Sequence, residues 1–176
     1  MDIHGLQKLT LLDFPGHVAC TVFLAGCDFR CPFCHNGGLV LGGMTPLMDD
    51  AALRALTADG LVDHVAMDIK NSPTAYAATV GVPELDLTPV AESAAFLLSG
   101  AVDYEFRTTA VAEFHTDASF AAIAQWIAGA KRYYIQCFTD RDAVLQAGLH
   151  APTKEQLEHW ADIVRPLVPS VELRGV

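Results

Sequence analysis

Apolar residues along this chain switch repeatedly between two periods. Short runs rich in β-branched and aromatic residues predict strands at VACTVFLAG (18–26), HVAMDIK (64–70), VDYEFRTTAV (102–111), RYYIQCFT (132–139) and SVELRG (170–175). Helical patterns lie between them. Leu87, Val90, Ala94 and Leu97 share one face, with Thr88-Pro89 as N-cap and first helical position. Phe120, Ile123, Ala124 and Ile127 form a second face behind Asp117. Leu157, Trp160, Ala161, Val164 and Val168 form a third, opened by Thr153-Lys-Glu-Gln156, a capping-box pattern. A weaker helix covers 49–58. DFPG (13–16) predicts a turn, with Pro15 and Gly16 at the central positions of type II. Strands alternating with helices on short connections predict an α/β fold of about five mostly parallel strands. Without an internal repeat or linker, residues 1–176 read as a single domain.

Composition refines this picture. Apolar residues make up 52% of the 176 and charged residues 18%, which suits a sheet buried on both faces. No run is long enough for a membrane helix, and MDIHGLQK lacks the basic and apolar blocks of a signal peptide. The expectation is a cytoplasmic protein whose five cysteines are thiols rather than disulfides. A formal charge of −10 with no basic cluster leaves no footprint for nucleic acid.

Candidate chemistry concentrates in CDFRCPFCH (27–35), where Cys27, Cys31 and Cys34 are spaced by four and three. The first expected strand ends at Gly26, so this loop sits at the strand end where ligands of parallel sheets bind. Structural zinc wants four protein ligands, usually in two separated pairs. Here there is one triplet, and His35 is too near Cys34 to complete a tetrahedron comfortably. A cubane iron–sulfur cluster takes one thiolate per iron, so three thiolates leave one iron open. The spacing favours the cluster over zinc. Cys20 and Cys137, inside expected strands, read as small buried apolar residues. His35, His64 and His115 read as surface or capping residues, and Arg132-Tyr133-Tyr134 as packing.

The C-x3-C-x2-C loop with an aromatic before its last cysteine resembles the radical S-adenosylmethionine signature. LQKLTLLDFPG, GCDFRCPFCHN, GLVDHVAMDIK, DYEFRTT, GAKRYYIQCF and VELRG resemble activating enzymes of glycyl radical enzymes, above all those of anaerobic ribonucleoside-triphosphate reductase. The resemblance implies a partial (β/α) barrel. It implies a [4Fe–4S] cluster on Cys27, Cys31 and Cys34, with S-adenosyl-L-methionine chelated to the open iron. It further implies one-electron cleavage of that cofactor and hydrogen abstraction from a glycine of a partner enzyme. A donor such as flavodoxin or ferredoxin would supply the electron. Phe33 would lie near the adenine, and Asp68, Lys70 and Arg107 would contact the ribose or carboxylate. An ordinary strand-end ion pair is the competing reading of those three, and core packing that of Phe33.

The chain also departs from the family. Only 30 residues separate Cys34 from His64, where the family has two further strands. One carries a Gly-Gly-Glu-Pro stretch that holds the cofactor's amino group. GGMTP (42–46) echoes it, but Met44 stands in place of the acid. An internal segment is missing, with its join within about 39–50, and strand 18–26 is then expected to pair in parallel with strand 64–70. Two alternatives stay open beside the activase: a non-catalytic cluster- or partner-binding remnant, and a radical enzyme for another substrate.

Overall fold

The computed structural model describes residues 3–10, 16–24, 27–35, 50–140 and 144–176. Strand β1 (Ile3–Thr10) pairs antiparallel with β2 (Ala19–Leu24). Helix α1 (Asp50–Ala58) precedes β3 (His64–Asp68). The short α2 (Tyr76–Thr79) and α3 (Thr88–Leu98) lead to β4 (Asp103–Ala110). Helix α4 (Asp117–Trp126) leads to β5 (Tyr133–Cys137), and α5 (Lys154–Val164) to β6 (Val171–Arg174). Strands β3 to β6 form one parallel sheet in sequence order.

The expected α/β class and parallel sheet are present. Strand β1 was not among the expected strands: IHGLQKLT offers only two β-branched residues in eight. Its pairing overturns the expected neighbour of the first cysteine-bearing strand. Among the described residues β2 lies against β1, antiparallel, and not against β3. Cys20 is exposed there rather than buried, on a ribbon that among the described residues pairs with no further strand. The DFPG turn lies mostly outside the described residues, but Gly16 has φ +81°, the left-handed backbone its turn position requires.

The parallel sheet has two unlike faces. Paired residues in register point the same way, and successive residues alternate. In β4, Tyr104, Phe106, Thr108 and Ala110 face the helices and are buried. Tyr133 and Ile135 of β5 join them. Helices α4 and α5 cover this layer, with the rings of Phe120 and Trp160 stacked at 4.7 Å. Thr116 caps α4 by accepting from the Ser119 amide, and the expected Thr153/Gln156 capping box opens α5. Asp103, Glu105 and Arg107 alternate to the opposite face, in register with His64, Ala66 and Asp68 of β3. Tyr134 and Arg174 extend that face across β5 and β6. The second face is polar but still largely covered, with Glu105 and Tyr134 buried. Among the described residues no helix is long and apolar enough to cross a membrane.

Candidate functional site

The cysteine loop (27–35) is folded on itself and seated on the carboxyl ends of the parallel strands. The Cys34 amide donates to the Cys31 carbonyl at 3.0 Å, and Arg30 Nη1 donates to the carbonyls of Cys27 and Phe29, both at 2.9 Å. Beyond β3, the Arg30 amide donates to the Val80 carbonyl at 2.7 Å, and Phe29 meets Tyr76 edge-on. Gly81 lets the two backbones approach: a Cβ there would stand 2.8 Å from the Arg30 carbonyl oxygen. Beyond β4, Phe33 packs against Phe114 with ring centroids 5.8 Å apart. Beyond β5, His35 Nε2 is 2.8 Å from the Thr139 carbonyl and its ring stacks on Phe138. The Gln146 amide donates to the Pro32 carbonyl at 2.9 Å. Three successive strand ends thus hold one nine-residue loop.

Within it Cys31 is buried, at 6% exposure, while Cys27 and Cys34 are half-buried. Burial pushes the Cys31 thiol up to about 11; Lys70 acts against that rise, and Cys27 and Cys34 add to it. The three sulfurs and the Lys70 ammonium therefore share one electrostatic neighbourhood. In metal-free protein, alkylation should label exposed Cys20 first and Cys31 slowly at neutral pH. Because the thiolate is the nucleophile, Cys31 labelling should rise with pH until it approaches about 11. Mass-spectrometric mapping of label between neutral and alkaline pH checks this, and rapid neutral-pH labelling of Cys31 would contradict it.

The end of β3 is held by its own set of bonds. The Ile69 amide donates to the Arg107 carbonyl at 2.7 Å, and Thr108 Oγ1 donates to the Ile69 carbonyl at 2.6 Å. Tyr133 in turn donates to Thr108 at 2.6 Å. Buried His115 accepts at Nδ1 from the Val111 amide at 3.1 Å, and its Nε2 lies 3.0 Å from the Lys70 carbonyl. Buried Asn71 donates to Thr79 Oγ1 and the Phe114 carbonyl, both at 2.8 Å. Asp68 and Lys70 are thereby fixed beside the cysteine loop. Lys70 Nζ is 2.5 Å from Asp68 Oδ2. Burial opposes the ammonium charge, but Asp68 outweighs it and the net shift is upward.

Arg107 lies one strand over, in register with Asp68. Its Nε donates to Glu105 at 2.5 Å, and Arg174 donates to the same carboxylate at 2.9 and 3.3 Å. Burial pushes the Glu105 carboxyl up, but the bonds from Arg174 and Arg107 outweigh it and hold it below its ordinary value. At the amino end of this face, Asp103 takes His64 Nδ1 at 2.8 Å and Arg132 Nη2 at 2.5 Å. His115 thus caps backbone groups and His64 pairs with Asp103 rather than lying free at the surface, while Tyr133 and Tyr134 pack in the core and Arg132 beside them forms an ion pair.

The structure brings Cys27, Cys31, Cys34 and Lys70 together, with Asp68 paired to Lys70. Arg107 stands on the neighbouring strand and is paired to Glu105. Sequence reasoning missed Asn71, Glu105, Thr108 and Arg174. The available signal was the strict alternation of DYEFRTTA, which puts Glu105 and Arg107 on one face. GGMTP and the expected join at 39–50, up to residue 49, lie outside the described residues.

Among the described residues, no group of three or more His, Cys, Asp or Glu side chains is arranged to hold a single metal ion. A cubane asks for something different, since each thiolate binds its own iron and the sulfurs need not converge on one point. The donor set suits it: three thiols on one loop, one of them buried, with a cation at hand to offset their negative charge.

No family model matches the chain. It is 22% identical over 231 positions to a provisionally named glycyl-radical enzyme activating enzyme of Methanocaldococcus jannaschii, a match covering 99% of this chain and 96% of that protein. The match spans 231 positions and this chain has 176 residues, so at least 55 of those positions (231 less 176) have no residue here. The crystal structure of a domain of pyruvate-formate lyase-activating enzyme from Bacteroides vulgatus superposes with a TM-score of 0.54 at 12% identity. That superposition covers 71% of this chain and 74% of that one. By fold, the chain is a partial α/β barrel like that activating-enzyme domain, and in sequence it is similar to the glycyl-radical enzyme activating enzyme.

Proposed function

We propose that this protein is a radical S-adenosylmethionine activase that installs a glycyl radical on a partner enzyme, an anaerobic ribonucleotide reductase. The observation that carries the reading is the seat of the cysteine loop: three thiols held over the carboxyl ends of a parallel sheet, with the Lys70 ammonium beside them.

Cys27, Cys31 and Cys34 would hold a [4Fe–4S] cluster with one iron left for S-adenosylmethionine. When bound, the pair supplies one-electron reductive cleavage of the sulfonium, the electron coming from a flavodoxin- or ferredoxin-type donor. The chain's own residues bind and orient. Lys70 and Arg107 give charge complementarity to the cofactor's carboxylate, Asp68 offers an acceptor for ribose hydroxyls, and Phe33 flanks the adenine. Asn71 and His115 keep the Lys70 backbone in place. The packed loop, with Phe29 on Tyr76 and Phe33 on Phe114, shields the thiols from water on that side.

The test is anaerobic. Reduced, cluster-loaded protein should convert S-adenosylmethionine to 5′-deoxyadenosine, and should raise a doublet glycyl signal in paramagnetic resonance when the reductase is added. A charged hydrogen bond is worth about 1.5–3 kcal/mol, so Lys70→Ala or Arg107→Ala should weaken cofactor binding roughly 10- to 100-fold. His150→Ala, an exposed residue paired with Glu113, should change little. A specific observation favours a second reading, a non-catalytic binding remnant. At least 55 positions of the activase match are missing, and the resemblance implies an acidic cofactor contact that GGMTP, with Met44, does not supply. If neither 5′-deoxyadenosine nor the glycyl signal forms, that reading replaces the first.

A further inference from the structure

Glu105 is a carboxylate at 1% exposure in the middle of the polar sheet face. It is bound three times, by Arg107 Nε and by both terminal nitrogens of Arg174. Arg174 is also fixed by the ring of Tyr134, whose centroid lies 3.3 Å from the guanidinium carbon. Both ends of the Arg174 fork and its flat face are therefore engaged.

Arg107 is held differently. Its Nε is committed to Glu105, while among the described residues none accepts from its terminal Nη groups. A guanidinium is planar, so fixing Nε fixes the direction of the remaining fork. Two arginines against one carboxylate also leave the cluster with positive charge to spare. Arg107 therefore presents a pre-aimed pair of donors three residues before the end of β4, in register with Asp68, the last residue of β3. Planar bidentate donors of this kind match a carboxylate.

We propose that Glu105 and Arg174 are positioning residues that aim the Arg107 fork at a ligand carboxylate, that of the methionine moiety of S-adenosylmethionine. The proposal rests on the cofactor reading above. Neither residue touches the ligand. Glu105 anchors Arg107, and Arg174, braced by Tyr134, keeps Glu105 from rotating away.

The test compares wild type with Glu105→Gln and Arg174→Lys. The first keeps shape and drops charge; the second keeps charge and drops the fork and the ring contact. In ligand-free protein, nitrogen-labelled spectra should show the Arg107 Nε–H exchanging slowly with water, and about 10-fold faster in each variant, as loss of a charged hydrogen bond predicts. With cluster-loaded protein, S-adenosylmethionine is titrated against its decarboxylated analogue. Wild type should prefer the carboxylate-bearing compound, and each variant should lose roughly 10- to 100-fold of that preference while binding the analogue as wild type does. The cluster's own share of the preference is constant across the three proteins. A freely exchanging wild-type Nε–H, a variant that keeps the full preference, or equal weakening toward both compounds overturns the positioning role and leaves the cofactor reading standing. Wild type that binds neither compound overturns the cofactor reading and the proposal with it. If Glu105→Gln does not fold, Arg174→Lys decides by the same outcomes.

Discussion

Replacing Cys27, Cys31 or Cys34 by Ala is expected to abolish iron uptake. Reconstituted wild type should bind about four irons per chain, the content of a cubane, with a broad brown absorbance. Each ligand holds a separate iron, so losing one leaves two thiolates, too few to retain the cluster against chelation. Cys20→Ala and Cys137→Ala should load as wild type, since neither belongs to the loop. Loading should also depend on pH: the Cys31 thiol is protonated at neutral pH, and its proton must leave when iron binds. Iron content and absorbance after reconstitution check all five variants. Stoichiometric zinc with no iron would contradict the expectation.

Gly81→Ala should loosen the cysteine loop, and Gly100→Ala should not. Both glycines sit in the left-handed region, at φ +69° and +77°. An L side chain there costs on the order of 1–2 kcal/mol by itself. At Gly100 a Cβ meets nothing within 4 Å, so that cost is the whole effect. At Gly81 the new Cβ would stand 2.8 Å from the Arg30 carbonyl oxygen, a backbone atom that cannot swing aside. Arg30 must move, and with it the 2.7 Å bond from its amide to Val80. Denaturation midpoints should fall in both variants, further in Gly81→Ala. Iron retention and slow Cys31 alkylation should fail in Gly81→Ala alone. Identical behaviour of the two would show that the close approach is not what seats the loop.

How much of this was legible depends on distance along the chain. The strands of the parallel sheet and the larger helices could be read because β-branched runs, helical faces and the Thr153 capping box are local signals. Strand β1 could not, since IHGLQKLT carries glycine, glutamine and lysine where a strand former is usual, and pairing with β2 supplies the order. The four residues of α2 are too few to show a period. The apolar content pointed to a doubly buried sheet but not to a polar second face, which only the alternation in DYEFRTTA recorded; total composition does not record which face a residue takes. In the site, spacing identified the three cysteines, and resemblance picked out Asp68, Lys70 and Arg107. Of their supports, Glu105 was within reach of the local pattern, but His115 and Arg174 were not, because they arrive from far away. His115 reaches Lys70 across 45 residues, and Arg174 reaches Glu105 across 69.

The seat of the cysteine loop has a bearing on which lengths of chain can vary. Among the described residues, the contacts that hold it come from Tyr76, Val80, Gly81, Phe114, Phe138, Thr139 and Gln146, all downstream of β3. The loop behaves as an inserted cassette gripped by the later half of the chain. The resemblance places the missing segment between the loop and β3, away from these contacts. A single insertion between Tyr76 and Gly81 would instead shift the grip itself. Tolerance of length change is therefore regional, and a trimmed barrel can keep an intact cysteine loop.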